Sequence, residues 1–79
     1  MRYVTARDLA KKCQVTEVAI HYRIKSMGFF KADGNIGVLE EDAKLLLKVY
    51  AQKGHKGAAR YAKMSDPFHD VIRECDLEV

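Results

Sequence analysis

The 79 residues carry 48% hydrophobic and 32% charged side chains, with one proline and five glycines, the composition of a chain that folds. A chain this short buries little apolar surface, which excludes a two-domain enzyme and points to one small core. No apolar run approaches the roughly 18 residues of a membrane span, and Met-Arg-Tyr-Val-Thr lacks the apolar stretch of a signal peptide, so a cytoplasmic protein is expected. Cys13 and Cys75 stand far apart in no metal-ligand spacing, so neither a disulfide framework nor a zinc site is predicted.

The net charge of +3 hides alternating blocks. Residues 1–31 hold seven basic and two acidic side chains, 32–51 two and four, 52–64 four and none, and 65–79 one and five. Solvated surface accounts for charge runs in many small proteins. The concentration of positive charge in the first block and in 52–64 also suits a polyanion partner.

Taken in chain order, Thr5 offers a hydroxyl to the first turn of a helix that runs to Cys13. Ala6, Leu9, Ala10 and Cys13 recur at three- and four-residue steps and form its buried stripe, while Arg7, Asp8, Lys11 and Lys12 face water. Gln14 and Val15 interrupt the pattern. Thr16 caps a second helix with Glu17 at its positive end, Val15, Ile20, Ile24 and Met27 along its buried edge, and Gly28 as its stop. Phe29–Lys31 and Ile36–Leu39 flank Ala32-Asp33-Gly34-Asn35, whose residues tolerate positive φ, and read as a small β-hairpin. Glu40, Glu41 and Asp42 open a third helix with Ala43, Leu46, Leu47 and Tyr50 as its apolar face, ending at Lys53-Gly54. Residues 55–64 read as a basic linker or short helix. Asp66-Pro67 is a start signal for an acidic amphipathic helix over 65–79, with Phe68, Val71, Ile72 and Cys75 on one stripe.

Two short helices joined by a tight turn, the second capped by a hydroxyl, have the layout of a helix-turn-helix. The run from Leu9 and Ala10 through Gln14-Val15-Thr16 to Ile20 resembles that family's pattern, with Ala10 as the small residue that lets the helices approach. Gln14 departs from it, standing where glycine is usual, so any left-handed conformation the turn needs would fall on it at a cost of about 1 kcal/mol. With the hairpin and the acid-capped helix, residues 3–52 resemble winged helix-turn-helix domains of MerR-type regulators and excisionase-like proteins. Val4-Thr5, the Ile-Lys-x-Met-Gly ending and the acidic helix are also similar to the N-terminal module of bacterial translation initiation factor two, which is not a sequence reader.

The resulting fold expectation is a mainly α chain with a small β-hairpin: a winged helix-turn-helix over 1–54, a basic segment over 55–64 and an acidic amphipathic helix over 65–79. The function it implies is sequence-specific binding of double-stranded DNA by a small transcriptional regulator or excisionase-type factor. Thr16, Glu17, Val18, His21, Tyr22 and Lys25 lie on or beside the face of the second helix opposite Ile20 and Ile24, as candidates to meet base edges or phosphates. Lys31 and Asn35 on the hairpin, with Thr5, Arg7, Lys11 and Lys12, are candidates for phosphate or minor-groove contact, and Lys53, Lys56, Arg60 and Lys63 for further phosphate contact. Phe68, Val71, Ile72 and Cys75 form a stripe that either folds back on the third helix or pairs with a partner, a homodimer on a palindromic site being the functional motive. The alternatives are a protein-interaction module, for example a phage-encoded inhibitor of host machinery, and a structured-RNA or ribosome-binding module.

His21, His55 and His69 stand in three different segments without an adjacent nucleophile, base or second ligand, so no catalytic or metal site is predicted. Acids at 40–42 are explained by the helix dipole, and Gly54 and Gly57 lack the lysine and preceding strand of a phosphate loop. No enzyme, cofactor or small-molecule substrate is therefore expected.

Overall fold

A computed structural model describes residues 1–27, 30–32 and 35–74, with side chains described for all of these except 27, 30–32 and 35. In chain order the elements are β1 (Arg2–Thr5), α1 (Ala6–Cys13), α2 (Glu17–Met27), β2 (Phe30–Ala32), β3 (Asn35–Leu39), α3 (Glu40–Gln52), α4 (Lys56–Ala62) and β4 (Arg73–Glu74). They form a small mixed α/β domain: four helices and an antiparallel β2-β3-β1 sheet, to which the two residues of β4 add a short outer strand.

Local signals set the first helices. Thr5 Oγ1 accepts the Asp8 backbone N–H at 3.2 Å and donates to the Asp8 carboxylate at 2.7 Å, satisfying an orphan donor of α1 and fixing the acid at its positive end. The stripe Ala6, Leu9, Ala10 and Cys13 is buried as its spacing requires. Gln14 then takes φ 57° and ψ 44°, and its N–H turns back to the carbonyls of Ala10 and Lys11. That is the left-handed stop anticipated at this non-glycine position. Thr16 Oγ1 accepts the Ala19 N–H at 3.2 Å and starts α2, which drives Ile20 and Ile24 fully into the core.

Strand β1 had no counterpart among the predicted elements. Its residues pair with β3 in the register Tyr3–Leu39, Val4–Val38 and Thr5–Gly37, which makes it an inner strand. Four residues are too few to show a period, and their partners lie more than thirty positions away, so nothing local announces them. The hairpin reading holds in outline, since β2 pairs with β3 in the register Lys31–Ile36 and Ala32–Asn35. Of its turn, Asp33 and Gly34 lie outside the described residues, as do Gly28 and Phe29.

Helix α3 follows β3 directly. No side chain caps it at Leu39, and the three acids of its first turn face the helix dipole instead. Ala43, Leu46, Leu47 and Tyr50 are buried, as their spacing predicts. Of the two readings of 55–64, the helix is the one found. After Gly54, at φ 92°, α4 turns back and packs along α3 and against α1. The absence of a Cβ on Gly57 is what permits this approach, because a Cβ there would stand 2.8 Å from the Lys12 carbonyl oxygen.

The amphipathic helix over 65–79 is overturned for its described part. Asp66-Pro67 does start a turn, with the N–H groups of Val71 and Ile72 donating to the Phe68 carbonyl at 2.9 and 2.7 Å. The chain then straightens into β4, whose Arg73 and Glu74 pair with Tyr3 and Arg2. The outer edge of β1 takes up backbone pairing with this segment, and that pairing competes with continuing the helix. Phe68 is wholly buried in the core, and Val71 and Ile72 pack half-buried against it. Within its described part the stripe proposed for a partner packs, fully at Phe68 and partly at Val71 and Ile72, against the domain's own core. Cys75 lies outside the described residues.

Candidate nucleic-acid interface on α2

Burial of Ile20 and Ile24 turns the opposite side of α2 outward. Val18 is 77% and Tyr22 81% exposed, the two most exposed large hydrophobic residues of the described chain. One helical turn separates them, and Lys25, also exposed, lies three residues beyond Tyr22 on the same side. Nothing from the described tail covers this face.

The flanks of α2 differ. On one side Glu17 accepts from Arg7 Nε at 3.4 Å and lies 3.8 Å from His21 Nε2. Asp8 faces Arg73 at 3.7 Å in the same open cleft of about 330 Å³, where Thr5 is also found. Charges in this cleft are matched, so Glu17 and Arg7 are already engaged with each other, and the hydroxyls of Thr5 and Thr16 are engaged as helix caps.

On the other side an open groove of about 580 Å³ runs between α2 and the end of α3. Val18, Ala19 and Tyr22 form one wall and Tyr50 and His55 the other, their rings edge-to-face at 5.2 Å between centroids. Arg23 lies over the Tyr50 ring, its Cζ 5.8 Å from the centroid. Arg23 and Lys53 are both positive, and among the described residues no carboxylate lines the groove. Sequence reasoning placed Tyr50 on the apolar face of the third helix and His55 in the basic 55–64 segment, and did not join them with Arg23 into one surface. The Arg23 and Ala19 positions on the helical wheel were the available signal; the approach of α3's end was not legible locally.

Lys12 corrects its assignment. Instead of facing water as a phosphate contact, it is 7% exposed, with Nζ 2.9 Å from one Asp70 oxygen and 3.3 Å from the other, and 4.2 Å from the Tyr61 ring centroid. The helical wheel placed it near the rim of the stripe, and α4 with the 65–72 turn then closed over it. The hydrogen bond from Lys12 holds the Asp70 carboxyl below its ordinary range, helped by the positive charges of Lys12 and His69. Lys11 remains exposed as anticipated. The backbones of Lys31 and Asn35 lie in β2 and β3, and their side chains are outside the described set.

The histidines remain apart: His21 beside Glu17, His55 against Tyr50, and His69 with Nδ1 3.1 Å from the Asp66 carbonyl oxygen. Among the described residues no three His, Cys, Asp or Glu side chains gather as a metal site, and no helix is long and apolar enough to cross a membrane. Cys13 is enclosed, and burial pushes its thiol up to about 11.

No family model, curated protein or solved structure matches this chain.

Proposed function

We propose that this chain binds double-stranded DNA as a small winged helix-turn-helix protein, with α2 in the major groove and the β2–β3 hairpin as the wing. The observation that carries the reading is the outward face of α2: among the described residues nothing covers Val18, Tyr22 and Lys25, which stand on a helix anchored by Ile20 and Ile24. A major groove admits one such helix; Lys25 can donate to guanine acceptors and Val18 can meet a thymine methyl. Arg23 and Lys53 line the groove on one flank of α2, where phosphates would run and where contacts orient the protein without reading sequence, and the exposed Lys11 on α1 is a further phosphate candidate. The reading gives no role in binding to Lys12, which is sequestered by Asp70.

Selection of a site from random duplexes, followed by mobility shifts across a salt series, tests this. Lys25→Ala should weaken the selected site by about 1–3 kcal/mol and relax discrimination at one position, with an unchanged melting temperature. Lys53→Ala should weaken blunt duplexes of every sequence alike and lower the salt slope. Absence of duplex affinity at low salt overturns the reading, and equal affinity for duplex DNA and structured RNA transfers it to the RNA-binding alternative.

A further inference from the structure

The groove between α2 and the end of α3 combines features that a plain phosphate contact does not need. Its walls are mainly apolar and aromatic, and the charged side chains among its described lining, Arg23 and Lys53, are positive. A ligand matching it is anionic at one end and flat and apolar at the other. Its volume falls within the range, roughly 300–1,000 Å³, of sites that accept small organic groups. The exposed Tyr22 ring has an open side on which a planar group can stack, while Arg23 is steadied against Tyr50.

We propose that this groove takes one unpaired nucleotide, its base against Tyr22 and Val18 and its phosphate held by Arg23 and Lys53. The proposal rests on the reading of α2 as the nucleic-acid face and names the substrate more narrowly: a duplex with an extrahelical or overhanging nucleotide beside the site that α2 reads. An acidic peptide offers the same charge. The nucleotide is favoured because the groove is continuous with the α2 face and the stacking ring and cations belong to one lining, the arrangement by which single strands are held irrespective of base.

Two measurements on the full chain test it. In amide and aromatic NMR spectra at low salt, the single-stranded tetranucleotide of thymidine should shift Val18, Tyr22, Lys53 and His55 together, and inorganic phosphate at equal charge should not move the Tyr22 ring. In fluorescence polarisation, a duplex with one extra unpaired thymine should bind roughly tenfold tighter than the blunt duplex of the same sequence. Tyr22→Ala and Lys53→Gln should each bring that ratio towards one, whereas Tyr22→Phe keeps it. A ratio of one in the unsubstituted protein, or shifts caused by phosphate and by a short Glu-Phe-Glu peptide but not by the tetranucleotide, overturns the proposal while leaving duplex recognition standing. Tetranucleotide shifts in the groove without affinity for blunt duplex would sustain the groove and sink duplex recognition. No response to any nucleic acid sinks both.

Discussion

Gly57→Ala sets two effects of opposite sign against each other at one residue. Glycine inside a helix is worse than alanine by about 1 kcal/mol, so propensity alone predicts that the substitution stabilises α4. Packing predicts the reverse. The added Cβ would stand 2.7 Å from Gln14 Cγ, 2.9 Å from Gln14 Cδ and 2.8 Å from the Lys12 carbonyl oxygen. Gln14 is an exposed side chain that can swing aside, but the carbonyl belongs to the last turn of α1 and cannot move without shifting a helix. Overpacking of this kind costs about 1–3 kcal/mol, and Gly57 lies in the first turn, where the propensity gain is smaller. A net loss of about 1–2 kcal/mol follows, which in a domain of this size lowers the melting temperature by roughly 5–15 °C. Thermal and urea unfolding followed by circular dichroism measure it. Gly54→Ala is the control, since its Cβ would meet nothing within 4 Å and only the φ of 92° resists it. Gln14→Ala combined with Gly57→Ala should recover only part of the loss. Should Gly57→Ala melt at or above the unsubstituted protein, the close seating of α4 on α1 would be refuted.

Phe68→Ala should cost about 3–5 kcal/mol, because the ring is fully enclosed, and should leave little of a typical domain's stability in urea; a loss under about 1 kcal/mol would show that the 65–72 turn is not docked. Gln14→Gly relieves the left-handed backbone at φ 57° and should raise stability by up to about 1 kcal/mol, partly offset by the freer unfolded chain; a clear drop in melting temperature would contradict the strain argument. Asp70 has a carboxyl pKa lowered by Lys12, so its ionised form is favoured in the folded chain. The contribution is present above the ordinary carboxylate pKa, about 3.9, and is lost as pH falls through the lowered folded value. Melting curves of the unsubstituted protein and of Asp70→Asn should therefore differ at pH 7 and draw together as pH falls below the ordinary carboxylate pKa, and parallel curves across that range would remove Asp70 from the acid response.

What could be read from the sequence was what neighbours along the chain decide. Thr5 and Thr16 cap helices because a hydroxyl three residues ahead of an orphan N–H has little else to reach, and the stripes Ala6–Cys13 and Ala43–Tyr50 fall on one side by helical geometry alone. The turn at Gln14 was legible for the same reason. Illegible were the features made by distant pairing. Asp66-Pro67 carries a sound helix start, yet the edge of β1 and the pocket for Phe68 claim the chain after one turn. Lys12 looks solvated on a lone helix and is enclosed only because Tyr61 and Asp70 arrive from far downstream. On the candidate interface, spacing identified the outward residues of α2. It did not identify the groove beside them, whose second wall is supplied by the end of α3.

The position of β1 also dictates an order of assembly. It is synthesised before both of its neighbours, pairing with Val38 on one side and Arg73 on the other, so it waits as a lone extended segment while the helices can already coil. Until residues 37–39 are made Val4 has no strand to pair with, and the outer side of β1 is closed only once residues 73 and 74 exist. A truncation just short of that point should release a product with helical content but a ragged seam, the kind of species that chaperones retain.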